Sequence, residues 1–150
     1  MASFGDGPGM YKKRLLELND VASYDAFDGA PFTEKTTEGR CKFLDLSVPI
    51  YHLESKYDWI MSTEVAEHIP KQFEQNYLDN LTRYANQGIL MSWAKLGQGG
   101  HSHVNNQDIG YVKEQMLARG FKLHEKLSAE IKAHSSLPWL KDNLNVYYRV

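Results

Sequence analysis

The sequence contains very little cysteine, and Cys41 is its only one. A single cysteine excludes an internal disulfide framework and a cysteine-rich zinc site. The chain also has no apolar run long enough to span a bilayer and no apolar segment typical of a signal peptide. We therefore predict a soluble, cytoplasmic protein with no membrane partner. Because Met1 lies almost directly before the first motif, a longer parent chain stays an open alternative.

The sequence also lacks a large excess of positive or negative charge. Lysine and arginine together number 17 and the acidic residues number 19, which gives a net charge of −2. A nucleic-acid partner is therefore not expected, since a local patch alone would have to bind the phosphates. The length of 150 residues predicts a single domain over residues 1–150 with its own core. Neither composition nor charge identifies a substrate or an oligomeric state.

Strand-like and helix-like segments alternate along the chain. The sequence pattern predicts strands at residues 2–4, 21–24, 42–44, 59–61, 88–93, 121–127 and 144–150. It predicts helices over residues 10–18, 71–85 and 105–119. Strands that alternate with helices predict an α/β fold in which right-handed crossovers join parallel strands.

The segment FGDGPG, residues 4–9, follows the first predicted strand and opens the first predicted helix. Glycines at such a place let the backbone pass close to a ligand, and the helix N-terminus offers free N–H groups. A glycine-rich turn can also be a plain tight connection. The segment therefore indicates a cofactor site only together with other strand ends.

Acidic residues follow the next two predicted strands. Asp25 ends the second strand, where nucleoside-binding folds place an acid on ribose hydroxyls, and Asp45 ends the third. The carboxyl ends of parallel strands meet at one rim of the sheet, which is where ligands bind. The alternative is that Asp25 or Asp28 caps the turn that follows, and this suits Asp28 better than Asp25.

The motif order FGDGPG, SYD, FLDLS, DWIMSTEVAEHIP and GILMSWA resembles class I S-adenosylmethionine-dependent methyltransferases over nearly the whole chain. It is most similar to uncharacterised animal methyltransferase-like proteins with EHIP and GQGGHSHVN segments. The resemblance implies a Rossmann-like, mostly parallel seven-stranded sheet with helices on both faces. Its last strand, residues 144–150, would run antiparallel beside GILMSW. The helices that usually precede the first strand in the family are missing from this sequence, which implies either an unusually open cleft or a chain that is a fragment or a minimal version of the family.

By that resemblance the cofactor is S-adenosylmethionine. The glycines of the turn would surround its methionine part, Asp25 would hold the ribose hydroxyls, and Asp45 with the backbone of Leu46 would contact the adenine. The implied cofactor-binding residues are Gly5, Asp6, Gly7, Gly9, Asp25, Asp45 and Leu46.

The segment STEVAEHIP, residues 62–70, predicts a metal site. A helical turn there would place Glu64, Glu67 and His68 on one face, and the segment holds no lysine or arginine to pair with the carboxylates. A divalent cation such as Mg, Mn, Fe or Zn suits these oxygen and nitrogen donors. His103 of GQGGHSHVN is the expected fourth ligand. We prefer it to His101 because its neighbours tie it to the next helix.

This pattern is similar to small-RNA 2′-O-methyltransferases and ubiquinone-pathway O-methyltransferases, in which a divalent metal grips substrate oxygens. The resemblance implies methyl transfer to a substrate hydroxyl by direct displacement, with a small molecule or a terminal ribose as acceptor. If no metal binds, His68 or His103 becomes the expected general base.

Two other functions stay open at this point. One is a catalytically inactive binding protein that has kept the methyltransferase fold, which the missing N-terminal helices favour. The other is a nicotinamide-dependent oxidoreductase. The incomplete Gly-x-Gly-x-x-Gly pattern disfavours it, and hydride transfer gives the Glu-x-x-Glu-His motif no role.

Overall fold

The computed structural model describes all residues, Met1–Val150. Its strands are β1 (Ala2–Phe4), β2 (Asp25–Asp28), β3 (Lys42–Phe43), β4 (Tyr57–Ser62), β5 (Ala85–Ser92), β6 (Phe121–Leu123) and β7 (Leu144–Arg149). Its helices are α1 (Met10–Glu17), α2 (Thr33–Thr36), α3 (Glu74–Tyr84), α4 (Ile109–Leu117), α5 (Glu125–His134) and α6 (Pro138–Asn143). Two short 3-10 turns, Ala66–His68 and Lys71–Phe73, connect β4 to α3. None of the helices combines the length and the apolar character that a membrane span requires.

All seven strands form one sheet in the order β3-β2-β1-β4-β5-β7-β6. Strands β1 to β5 are parallel, and β7 runs antiparallel to both β5 and β6. The predicted Rossmann-like sheet, with its last strand inserted beside β5, is confirmed. The strand order reverses between β1 and β4, and ligands bind beyond the carboxyl ends of the strands at such a switch point.

One face of the sheet carries most of the hydrophobic core. A cluster of 20 buried residues joins the strands to α3 and α4, and α3 contributes Tyr77, Leu78 and Leu81. The apolar residues of α3 recur every three or four positions, which is the amphipathic pattern that predicted this helix. A smaller cluster on the opposite face joins β2 and β4 to Leu15 of α1. The carboxyl ends of β1 and β4 therefore belong to a sheet that is packed on both faces.

The second strand lies four residues later than the prediction of residues 21–24. Strand β2 pairs with β1 in the register Ala2↔Asp25 and Phe4↔Phe27. Tyr24 packs into the smaller cluster instead of joining the sheet. Strand preference depends on what a side chain packs against, so the segment next to one with strand-like composition can form the strand instead. This shift decides which acid reaches the rim of the sheet.

The predicted strand at residues 121–127 and the predicted helix at residues 105–119 are both too long. Strand β6 ends at Leu123, because His124 caps α5 by accepting the backbone N–H of Leu127 (3.2 Å). Helix α4 starts only after Asp108, whose carboxylate accepts the backbone N–H of Gly110 (2.7 Å). Residues 105–108 therefore belong to the loop that follows β5.

Candidate cofactor cavity and metal cluster

A cavity of about 340 Å³ lies beyond the carboxyl ends of β1 to β4. Gly5 follows β1, Asp28 ends β2, Asp45 follows β3, and Glu64 and His68 follow β4, and all five line the cavity. Small-molecule sites commonly have volumes from about 300 to 1,000 Å³. The four strand ends therefore build one cavity at the switch point of the sheet.

The glycine turn opens this cavity at Gly5. The backbone N–H of Gly5 donates to the carbonyl of Phe27 (2.8 Å), and its φ of +94° is one that L side chains rarely adopt. A Cβ at this position would lie 2.3 Å from Cγ2 of Val65, which follows β4. Glycine is therefore required where the turn passes the neighbouring strand end.

The other residues of the turn do not line the cavity. The carboxylate of Asp6 is buried and accepts hydrogen bonds from the Ser3 hydroxyl and the backbone N–H of Tyr11. Gly7 donates its N–H to Asp28, and Gly9 packs against Arg40 and Cys41. These residues shape the turn, and the structure does not bring the predicted side chain of Asp6 to the cavity.

The structure separates Asp25 from the glycine turn. Asp25 begins β2 and therefore lies at the amino edge of the sheet, where its Oδ2 accepts the hydroxyl of Tyr57 (3.0 Å). Asp28 ends the same strand at the cavity, and its Oδ2 accepts the backbone N–H of Gly7 (2.7 Å). Asp28 is thus the acid at the position predicted for Asp25. Gly29, which directly follows it, was the sequence signal for the true end of the strand.

Asp45 and Leu46 both line the cavity. One carboxylate oxygen of Asp45 accepts the backbone N–H (2.8 Å) and the hydroxyl (2.6 Å) of Ser47. This leaves its second oxygen without a partner in the chain. The backbone N–H of Leu46 also has no partner in the chain.

Glu64 does not share a helical turn with Glu67 and His68. The turn contains only Ala66–His68, and Glu64 precedes it with a φ of +57°. Ser92 at the end of β5 holds Glu64 in this conformation, because its hydroxyl donates to Glu64 Oε1 and accepts the Glu64 N–H, both at 2.7 Å. The predicted single face of three ligands is therefore wrong, although Glu64 still lines the cavity.

Glu67, His68 and His103 form a cluster in which one ligand atom from each lies within 4.8 Å of the others. Both carboxylate oxygens of Glu67 and Nδ1 of His103 are buried without a hydrogen-bond partner. Burial raises the pKa of Glu67 above its ordinary value, and the nearby carboxylate of Glu64 adds to that rise. Buried polar atoms normally have partners, so this cluster needs an explanation.

His68 and the backbone of Glu67 tie the cluster to the loop after β5. Nδ1 of His68 lies 3.1 Å from the carbonyl of Ser102, and a carbonyl can only accept, so Nδ1 carries the proton. In the neutral imidazole the other ring nitrogen, Nε2, then keeps its lone pair. The carbonyl of Glu67 accepts the N–H groups of Val104 (2.9 Å) and Asn105 (3.0 Å). These bonds place His103 beside His68, with ring centroids 5.1 Å apart.

The sheet order and the cavity at its switch point define a Rossmann-like fold. No protein-family model matches the sequence, and no curated protein matches it. Similarity to known proteins therefore comes from solved structures.

A magnesium protoporphyrin IX methyltransferase from Synechocystis, solved with bound SAH, aligns with a TM-score of 0.70 and 14% identity, over 99% of this chain and 73% of that chain. An O-methyltransferase family protein from Burkholderia thailandensis aligns with a TM-score of 0.70 and 10% identity, over 99% and 49%. A pericyclic reaction enzyme aligns with a TM-score of 0.66 and 11% identity, over 99% and 42%. The chain spans less than half the length of the last two. At these identities the alignments establish the fold.

Proposed function

We propose that the protein is an S-adenosylmethionine-dependent methyltransferase that methylates a substrate hydroxyl with the help of a divalent cation. The observation that carries this proposal is the double position of His68. It lines the cavity built by the strand ends, and it belongs to the cluster with Glu67 and His103. A cofactor in the cavity and a cation in the cluster would therefore meet at one side chain. The fold, which is shared with methyltransferases, supports the same conclusion.

The cavity offers groups that suit each part of the cofactor. Asp28 uses its carboxylate for the N–H groups of Gly7 and Ala30, and a carboxylate has lone pairs left for two ribose hydroxyls. The free oxygen of Asp45 and the free N–H of Leu46 suit the adenine. We therefore assign to Asp28 the ribose role predicted for Asp25.

The cluster offers donors that suit a cation. The unpartnered oxygens of Glu67, Nδ1 of His103 and the free Nε2 of His68 form a mixed set that suits Mg, Mn, Fe or Zn. Glu64 lies outside this group of three, although Ser92 uses only its Oε1. The hydrogen bond from His68 Nδ1 to a backbone carbonyl is also typical of a metal ligand, because it fixes the ring and its tautomer.

The residues of the chain contribute alignment and proton handling. Gly5 and Asp28 would hold the methyl donor against the end of β4, from which His68 and Glu67 would position the acceptor oxygen. A bound cation supplies polarisation that lowers the pKa of the acceptor hydroxyl. If no cation binds, the Nε2 lone pair of His68 is placed to accept the hydroxyl proton.

A matched pair of aspartate variants tests the cavity. We expect calorimetry to show S-adenosylhomocysteine binding about tenfold or more weaker in Asp28→Asn, because the charge that accepts the ribose hydroxyls is lost. The amide oxygen of this variant still accepts the Gly7 N–H, which holds the glycine turn, while the exposed Ala30 N–H loses its acceptor to solvent. Asp25→Asn, at the other edge of the sheet, should bind like the unmodified protein. Equal affinity in all three proteins would remove Asp28 from the site, and binding of nicotinamide dinucleotides alone would favour the oxidoreductase.

A further inference from the structure

Glu74, the first residue of α3, carries a fully buried carboxylate outside the Glu67–His68–His103 cluster. Its side chain is 0% exposed. It accepts hydrogen bonds from the ammonium of Lys71 (2.8 and 3.0 Å), the Nδ2 of Asn105 (2.9 Å), the Nε2 of Gln107 (3.3 Å) and the hydroxyl of Tyr111. A buried carboxylate is costly unless it is paired and hydrogen-bonded. All four of these side chains donate to the Glu74 carboxylate, so its burial is compensated.

Two of these donors belong to the loop that carries His103. Asn105 lies two residues after His103 and is buried, and Gln107 lies two residues further along the chain. The Nε2 of Gln107 also donates to Oδ1 of Asn105 (2.6 Å), so the two amides bind Glu74 as a unit. Tyr111 of α4 brings the far end of the loop to the same carboxylate.

The backbone of Asn105 connects Glu74 to the cluster. Its N–H donates to the carbonyl of Glu67 (3.0 Å), and its carbonyl accepts the indole N–H of Trp93 (2.6 Å). With its side chain held by Glu74 as well, Asn105 is fixed at three points. His103 precedes this fixed point by two residues, so its backbone is held close to Glu67.

We propose that Glu74 is a positioning residue that holds the His103 loop in its ligand-binding conformation before any ligand arrives. The proposal rests on the proposed role of His103 in the cation site. Glu74 has no hydrogen bond to any of the three cluster side chains, and it acts through Asn105. Groups that orient ligands in this way typically change metal affinity by about 10–100-fold when they are mutated.

Hydrogen exchange in the metal-free protein tests the proposal without any requirement for activity. In Glu74→Gln we expect the amides of Val104 and Asn105, which bond to Glu67, to exchange about tenfold faster or more, as opening of the loop becomes easier. The control Glu130→Gln makes the same chemical change on the exposed side of α5 and should leave both amides unchanged.

A second variant covers the case in which Glu74→Gln does not fold. Asn105→Leu removes the loop's main donor to Glu74 while Lys71 and Tyr111 still pair with it, and the same acceleration is expected at Val104. Calorimetric titration with Mn²⁺ should then show affinity about 10–100-fold weaker in either variant, with unchanged binding of S-adenosylhomocysteine. Wild-type exchange at Val104 with only a lower melting temperature would overturn the proposal. If the unmodified protein binds no Mn²⁺, the cation part of the proposed function fails, and the exchange rates still decide the role of Glu74.

Discussion

Gly100 lies against the ring of His103, and this contact gives a sharp test of the cluster. A Cβ built on Gly100 would lie 2.1 Å from Nε2, 2.2 Å from Cε1 and 2.5 Å from Cδ2 of His103. Gly100 has no positive φ, so its backbone accepts alanine. Gly99, the neighbouring residue, also lacks a positive φ, and a Cβ built on it would have no atom within 4 Å. The substitutions Gly100→Ala and Gly99→Ala therefore differ only in their effect on His103.

The size of the effect follows from the contact distances. Carbon atoms prefer separations of about 3.5–4.0 Å, so the ring of His103 has to retreat by more than about 1 Å in Gly100→Ala. Metal–ligand distances tolerate only about ±0.2 Å, so the displaced ring can no longer act as a ligand. The fold should be little affected, because a side chain with rotatable bonds moves in place of the backbone. We expect cation affinity to fall about tenfold or more, with a nearly unchanged melting temperature.

Calorimetric titration of Mn²⁺ into both glycine variants and into His103→Ala measures this effect. Gly100→Ala should resemble His103→Ala, and Gly99→Ala should resemble the unmodified protein. Thermal unfolding of the same samples separates loss of the ligand from loss of the fold. Wild-type affinity in Gly100→Ala would refute the assignment of His103 as a ligand.

Three further predictions concern buried groups and the sheet. Glu67→Gln should raise the stability of the metal-free protein near pH 7 in denaturant titrations and abolish cation binding, because burial raises the pKa of this carboxyl and an acid with a raised folded pKa costs stability once the pH exceeds it; lower stability in the variant would contradict this. Burial alone would raise the pKa of Glu74, but hydrogen bonds from Lys71, Tyr111 and Asn105 outweigh it and hold this pKa below its ordinary value of 4.5. The ionised Glu74 therefore stabilises the fold above about pH 4.5, and this stabilisation is lost as the pH falls through the lower pKa of the folded state. The difference in unfolding free energy between the unmodified protein and Glu74→Gln should shrink on acidification. A difference that stays constant with pH would contradict this. A chain that ends at residue 143 lacks β7, which pairs with both β5 and β6, and should show no cooperative melting by circular dichroism.

The elements with unambiguous patterns could be predicted from the sequence. The apolar spacing of α3 and the apolar run of β5 left one interpretation each, and both elements were found, with shifted ends. The link of His103 to the next helix favours it over His101 as a ligand, and the structure places His103 in the cluster and His101 at the surface. The motif order supplied the antiparallel position of β7, which spacing alone does not determine.

The remaining differences depend on contacts between distant residues. Residues 21–24 and 25–28 both suit a strand, and only pairing with β1 selects the second, so the sequence placed Asp25 where the structure has Asp28. The positive φ of Glu64 depends on Ser92, which lies 28 residues later in the chain. The anchoring of Asn105 by Glu74 spans 31 residues. Local patterns carry no information about such pairs.

A joint site for cofactor and cation can be examined in a crystal structure with S-adenosylhomocysteine and Mn²⁺, with anomalous data collected near the manganese edge. We predict the adenosyl ligand in the cavity with its ribose on Asp28, and one anomalous peak among Glu67, His68 and His103. S-adenosylhomocysteine bound elsewhere, or a fully occupied cavity with no anomalous peak at the cluster, would contradict a single site that joins cofactor and cation.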